Sequence, residues 1–207
     1  MATPSSPTTR PALTLALTPS QTVGPYLAIG LTWPDGELAW PRQSPDAGTR
    51  VRISGRLLDG LGDPVPDGMV ETWQADPAGR FDHPDDPRTG DAAHGSHRGF
   101  ARSTTDPQGR WSVETLLPGP VPGPGDTTQA PHLDVSVFAR GLLHRVVTRI
   151  YFPQHAAEPG PGGHAQDPVL QAVPRARRPT LVARAVDGGY EHDLRLQGKD
   201  ETVFFDV

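Results

Sequence analysis

The segment His132-Leu133-Asp134-Val135-Ser136-Val137-Phe138 does most to limit what this chain can fold into. Side chains of an extended strand point to opposite faces in turn. Leu133, Val135 and Val137 therefore share one face, and His132, Asp134 and Ser136 share the other. A run of this kind buries its apolar face against a second layer. Similar runs, alternating or rich in β-branched residues, lie at 51–58, 69–76, 111–116, 146–152, 181–186, 190–196 and 202–206. Turn chemistry separates them at Asp59-Gly60-Leu61-Gly62-Asp63-Pro64, Asp106-Pro107-Gln108-Gly109 and Asp187-Gly188-Gly189. The last of these stands between two alternating runs and predicts a hairpin. No segment carries a helical apolar stripe longer than a turn or two. The expected fold class is all-β, a β-sandwich with long irregular loops and an extended N-terminal arm.

A chain of 207 residues holds one well-buried domain of this kind. The expected division is a disordered Ser/Thr/Pro-rich segment at 1–17 followed by a sandwich domain at 18–207. With 23 glycines and 25 prolines the domain is rich in loops. Four stretches, 33–50, 81–98, 118–130 and 153–179, are too long and polar for tight turns, and loops of that length tend to be functional or partner-facing. The net charge of −5 argues against a nucleic-acid backbone as partner. Absence of cysteine excludes disulfides and thiolate metal sites. The apolar stretch at 11–17 is too short to span a membrane and too broken for a secretory signal, so a cytoplasmic protein is expected.

Two metal-competent side chains at i and i+2 on one strand face can form half of a metal site, and His132 and Asp134 are such a pair. The rest of the chain does not supply an evident other half. The plainer reading is a histidine satisfied by a neighbour, with Asp134 hydrogen-bonded to a loop. The His94-Gly95-Ser96-His97 cluster, with His83 near it, reads as solvated histidines in a Gly/Asp/Pro loop. Of the three tyrosines, Tyr151 and Tyr190 read as packing residues inside strand patterns. Tyr26 follows the Gly24-Pro25 turn and either points into a cleft or anchors the N-terminal arm. Trp73 reads as core, and Asp76 as the cap of the turn that follows it. Arg140 precedes Gly141 at a strand end. It either meets an anionic ligand through its two-pronged guanidinium or is one of many solvated arginines.

Together these segments resemble a known family. Thr18-Pro19-Ser20-Gln21-Thr22-Val23-Gly24-Pro25-Tyr26, Glu71-Thr72-Trp73-Gln74-Ala75-Asp76 and Gly79-Arg80-Phe81 are similar to segments of the intradiol ring-cleaving dioxygenases. So are Ala130-Pro131-His132, Phe138-Ala139-Arg140-Gly141, Thr148-Arg149-Ile150-Tyr151-Phe152 and Glu201-Thr202-Val203-Phe204-Phe205-Asp206. The resemblance runs in consistent order from about Thr18 to Val207. Catalytic members of that family hold a non-haem ferric ion with two tyrosinates and two histidines. Anionic phenolates stabilise the ferric state, and the metal activates a bound catecholate toward oxygen.

Matched by motif, the ligand positions fall at Phe81, Val121, His132 and Asp134. Three of the four depart from the ligand set, so the resemblance implies a vestigial site. It also implies a role as the subunit of a hetero-oligomer that does not ligate the metal. The ferric iron would then be held by a homologous β subunit, which is the expected partner beside a small catechol substrate and O2. Thr22, Gly24, Pro25 and Tyr26 would line the partner's pocket, and Arg140 would bind substrate and serve catalysis there. Two other readings stand beside this one. One is a self-sufficient iron dioxygenase using His132, Asp134 and a tyrosine such as Tyr26, and the other a non-enzymatic β-sandwich that binds or scaffolds.

Overall fold

The computed structural model describes residues 19–22, 24, 29–40, 48–88 and 99–206. The segment at 1–17, Pro25, Tyr26 and the His94–His97 cluster lie outside the described residues. Two sheets carry the fold. In the first, β1 (Arg50–Leu58) pairs antiparallel with β4 (Arg110–Leu116) along one edge. Its other edge pairs in parallel with β10 (Gly189–Glu191) and then β11 (Leu194–Arg195). Strand β9 (Arg184–Val186) closes this sheet through the hairpin at Asp187-Gly188 that the turn residues predict. The second sheet is antiparallel, in the order β3 (Phe100–Thr104), β2 (Met69–Trp73), β7 (His132–Phe138), β8 (Val146–Tyr151).

The inner faces meet as the alternation requires. Ile53, Leu57, Trp111 and Val113 from the first sheet pack with Val70, Ala101, Leu133, Val135, Val137 and Ile150 from the second. A smaller cluster of Ala130, Tyr151, Leu170, Val173 and Leu181 sits beneath the 153–179 connection. That connection is not structureless. It contains 3-10 turns and a short helix, α1 (Pro168–Ala172), started by Pro168 and capped by Asp167, whose carboxylate accepts the Leu170 amide at 2.8 Å. The 118–130 stretch likewise holds a small hairpin of β5 (Val121–Pro122) and β6 (Thr128–Gln129).

Three elements differ from the sequence reading. Strand β3 gives a weak apolar signal, because Ala101 is its only fully buried side chain. The 181–186 run opens in a 3-10 turn at Arg178–Leu181, and only Arg184–Val186 is extended in a ladder. The 202–206 run joins a sheet only through an isolated bridge from Phe205 to Val147.

Candidate functional site

Because residues 133, 135 and 137 face the core, the other face of the second sheet is turned outward. The register sets Phe100, Trp73, Asp134 and Arg149 side by side across its four strands, with His132 opposite Tyr151. This corrects the expectation for Trp73. It is not a core residue but is half-buried on the outer face, stacked on Phe81 with ring centroids 6.1 Å apart and planes 7° from parallel.

The turn after β2 fixes Phe81. Asp76 caps it, as its sequence suggests, accepting the amides of Ala78 and Arg80 at 2.8 and 2.9 Å and the Arg80 Nε at 2.9 Å. Gly79 has φ +77°, and a Cβ there would stand 2.0 Å from the Pro120 carbonyl oxygen. Only glycine serves both demands. The Gly119 amide also donates to the Asp76 carbonyl at 2.9 Å, so the two loops that present Phe81 and Val121 are joined backbone to backbone. The Phe81 amide donates to Asp86 at 2.8 Å, and Asp86 is held by Arg88. That pairing, opposed by burial, keeps the Asp86 carboxyl well below the usual carboxylate range. Trp73, Phe81, Pro87 and Pro122 give an apolar lining to a cleft of about 610 Å³, with His83, Asp85, Asp86 and Arg88 at its polar side. His83 is exposed and 3.7 Å from Asp85, as a solvated histidine should be.

His132 is 5% exposed, and its Nδ1 donates to the Ala130 carbonyl at 2.6 Å. A carbonyl only accepts, so Nδ1 carries the proton. Nε2 lies 3.7 Å from Asp134 Oδ1. The expected partner of Asp134 was a loop, and here the structure differs. Asp134 accepts from Arg149 Nε at 2.9 Å across the β7–β8 ladder. Burial pushes the Asp134 carboxyl up, but His132 and Arg149 together outweigh it and leave its pKa lowered. Arg149 Nη1 also donates to Gln129 at 2.6 Å and to the Tyr151 hydroxyl at 3.4 Å. The Tyr151 hydroxyl in turn donates to Asp167 at 3.3 Å. Tyr151 is thus more than packing, although burial and the Asp167 charge push its phenol far above the ordinary tyrosine value.

These residues do not fit ferric iron. Phe81 and Val121 bring no donor atom, Tyr151 is held as the neutral phenol, and the one carboxylate of the set is engaged by a guanidinium. Among the described residues, no three His, Cys, Asp or Glu side chains are placed to hold a metal ion.

A second group lies at the β7–β8 turn. Thr22 Oγ1 accepts the Gly141 amide at 3.0 Å, and Ser20 Oγ is 3.5 Å from His144 Nδ1. Ser20 and Thr22 therefore lie against the turn that carries Arg140. Gly24, two residues on, is half-buried. Arg140 is largely exposed and pairs with Asp67. Thr22 thus contacts the residue that follows Arg140. Sequence reasoning missed Asp67, Arg149 and Asp167, which act through pairings between segments far apart in the chain and leave no local pattern.

The two-sheet sandwich is the fold of the intradiol ring-cleaving dioxygenases. The dioxygenase family model matches residues 23–198, and the chain belongs to that family, whose members use ferric iron. It is 44% identical to the protocatechuate 3,4-dioxygenase alpha chain of Burkholderia cepacia over 94% of this chain and 99% of that one. The beta chain of the same organism's enzyme is 36% identical, over 75% of this chain and 67% of that one. Among solved structures, catechol 1,2-dioxygenase from Acinetobacter sp. ADP1 shares the fold with a TM-score of 0.55 at 20% identity. The match covers 76% of this chain and 55% of that enzyme, so the chain spans about half its length. Among the described residues no helix is long and apolar enough to cross a membrane.

Proposed function

We propose that this chain is the non-iron-ligating α subunit of a cytoplasmic protocatechuate 3,4-dioxygenase, acting with a homologous β subunit that holds the ferric ion. The reaction breaks one ring C–C bond of protocatechuate and adds both atoms of O2, giving 3-carboxy-cis,cis-muconate. Iron supplies activation of the catecholate toward oxygen. What this chain adds is binding and orientation. The observation that carries the reading is the placing of Thr22 against Gly141, beside Arg140 at the far end of β7 from His132 and Asp134, whose positions do not fit iron.

A guanidinium binds a carboxylate with two parallel hydrogen bonds and fixes its plane. Arg140 in this role holds the ring carboxylate of the substrate, or one of the carboxylates formed on ring opening. Pro25, whose ring fixes its own φ, limits the entropy the segment after Thr22 loses on binding. The outer face of the second sheet, with its half-buried Trp73, Phe81 and Phe100, is the surface that meets the β subunit.

The test is to purify the chain alone and together with a co-expressed β subunit. Tyrosinate on ferric iron gives an intense visible charge-transfer band, so colour and metal content report the same ligands. The expected result is a colourless chain with no stoichiometric iron and no activity, and a coloured, active complex. One iron per chain with a charge-transfer band in the isolated protein overturns the reading.

A further inference from the structure

Two cavities of about 340 and 510 Å³ are lined in common by Ser103, Thr104 and Ser112. They form one groove where the edge strand β3 meets the outer face of the first sheet. Its floor is made of small hydroxyl side chains. Ser54 on β1 stands directly opposite Ser112 on β4, and Ser103 Oγ accepts the Ser112 amide at 3.1 Å. At one end Arg52, Arg56 and Arg110 form a cationic rim. At the other, Leu31 and Trp33 give an apolar wall. Trp33 is a fixed platform, stacked on Phe100 with ring centroids 6.3 Å apart. The Arg102 guanidinium lies 4.7 Å from the Trp33 ring centre and donates through Nε to Glu71 at 2.7 Å. Trp33 nevertheless stays 38% exposed.

The charges suit an anion at one end only. Arg52 donates through Nη2 to the Ser112 hydroxyl at 3.0 Å. Among the described residues it forms no ion pair, although Glu114 stands opposite it in the ladder. Arg56 and Arg110 face each other across the same ladder. Asp193 engages Arg56 through Nη2 and Asp106 engages Arg110 through Nε, so both guanidiniums keep N–H groups for a ligand. Glu191 is taken up by Arg184. The remaining acid of the groove, Glu37, lies at the Trp33 end and directs a carboxylate toward the arginines. Ser112, with one lone pair engaged by Arg52, still has its O–H to donate.

We infer that this groove binds an aromatic carboxylate, with its ring against Trp33 and Leu31 and its carboxylate on the Arg52 guanidinium and the Ser112 hydroxyl. An apolar wall with a few converging polar groups is the usual make-up of a small-molecule site, and a guanidinium fixes the plane of a carboxylate. Arg56 and Arg110 add to the field that draws the anion in. The site uses none of the positions matched to the ferric ligands and nothing of the rim at Arg140. It does not depend on the subunit reading.

Calorimetric titration of the full chain with sodium benzoate tests this, at fixed ionic strength so that screening stays constant. One saturable site per chain is expected. Arg52→Ala and Trp33→Ala are each expected to weaken it at least about tenfold. Acetate keeps the carboxylate without the ring, and benzamide keeps the ring without the charge. Each is expected to bind at least about tenfold more weakly than benzoate. Melting temperatures without ligand report whether the variants fold. Should either alanine variant not fold, Arg52→Gln or Trp33→Leu takes its place in the same titration. Absence of saturable benzoate binding overturns the inference. So does acetate or benzamide binding as tightly as benzoate, or an affinity for benzoate left unchanged by the change at Arg52 or at Trp33.

Discussion

Asp67 holds the guanidinium of Arg140 in an ion pair at the rim where the N-terminal arm crosses the β7–β8 turn. Asp67 sits just before β2, and its neighbour Gly68 is clamped at both backbone groups by Thr105. The Gly68 amide donates to the Thr105 hydroxyl at 2.8 Å, and the Gly68 carbonyl accepts the Thr105 amide at 2.9 Å. A carboxylate on so fixed a base sets the direction in which an otherwise mobile arginine points. Arg140 is 61% exposed at its side chain and Asp67 23%, so the pair steers Arg140 while leaving the face of its fork open to a ligand.

In the assembled α–β enzyme, Arg140→Ala is expected to lower kcat/KM by at least about tenfold, the cost of losing a charged hydrogen-bond pair to substrate. Arg140→Lys should recover part of the loss. Asp67→Asn should give a smaller loss, carried mainly by KM. Placed on top of Arg140→Ala it should change nothing further, because a positioning residue has no effect once its client is gone. Steady-state kinetics of the four proteins decide this. Independent, additive losses would show that Asp67 acts on something other than Arg140.

Asp167 joins three elements that the sequence separates. Its carboxylate accepts the Leu170 amide at 2.8 Å to cap α1, the Ala130 amide at 2.8 Å to fix the approach to β7, and the Tyr151 hydroxyl. It is fully buried. Asp167→Ala leaves those donors without partners and should cost about 3 kcal/mol or more. Asp167→Asn keeps one oxygen and should cost less. Urea unfolding midpoints measure both, and an Asp167→Ala variant as stable as the parent would mean that water replaces the carboxylate.

The two-sheet architecture was legible because its signal is periodic and local. In β7 the apolar residues 133, 135 and 137 are all buried, and the residues between them carry the polar face. The Asp76 cap and the Asp187-Gly188 hairpin are equally local, and both appear where their sequences place them. Partnerships between strands are not of this kind. Nothing in the spacing of Asp134 tells that Arg149 will stand opposite, since that depends on the β7–β8 register. Trp73 reads as core by its size alone, but it alternates with Glu71 on the half-buried face of β2, and the register sets it beside Asp134.

Gly55 marks the closest approach of two backbones in the first sheet. A Cβ there would lie 1.7 Å from the His192 carbonyl oxygen, at the break between β10 and β11. Glycine inside a strand commonly marks such an approach. Gly55→Ala should therefore destabilise the fold by about 3 kcal/mol or more, through forced separation of β1 from the 192–193 junction. Thermal melting would show it, and a shift no larger than that of an ordinary surface substitution would mean that the junction relaxes freely.

His192, at that same junction, should make stability depend on pH in a defined window. It is 6% exposed. Burial pushes its pKa down from 6.5 to about 4, against the opposing pull of the Asp193 charge and a hydrogen bond to the Val182 carbonyl. Between those two values the unfolded chain takes up a proton that the folded chain refuses. The contribution is fully present above the unfolded value of 6.5 and is lost as pH falls toward the folded value of about 4. The loss amounts to about 3 kcal/mol across the window. His164, lowered by burial and by the nearby His155, adds to it with the same sign. Asp134 belongs to a lower range, because its depressed carboxyl gives up stability only as pH falls below the ordinary value of 3.8. His192→Asn removes the titrating group while keeping an N–H donor for Val182. Urea midpoints measured at steps from about pH 7 to about pH 5 should fall in the parent and fall clearly less in the variant. Parallel curves for the two proteins would assign the acid sensitivity to other groups.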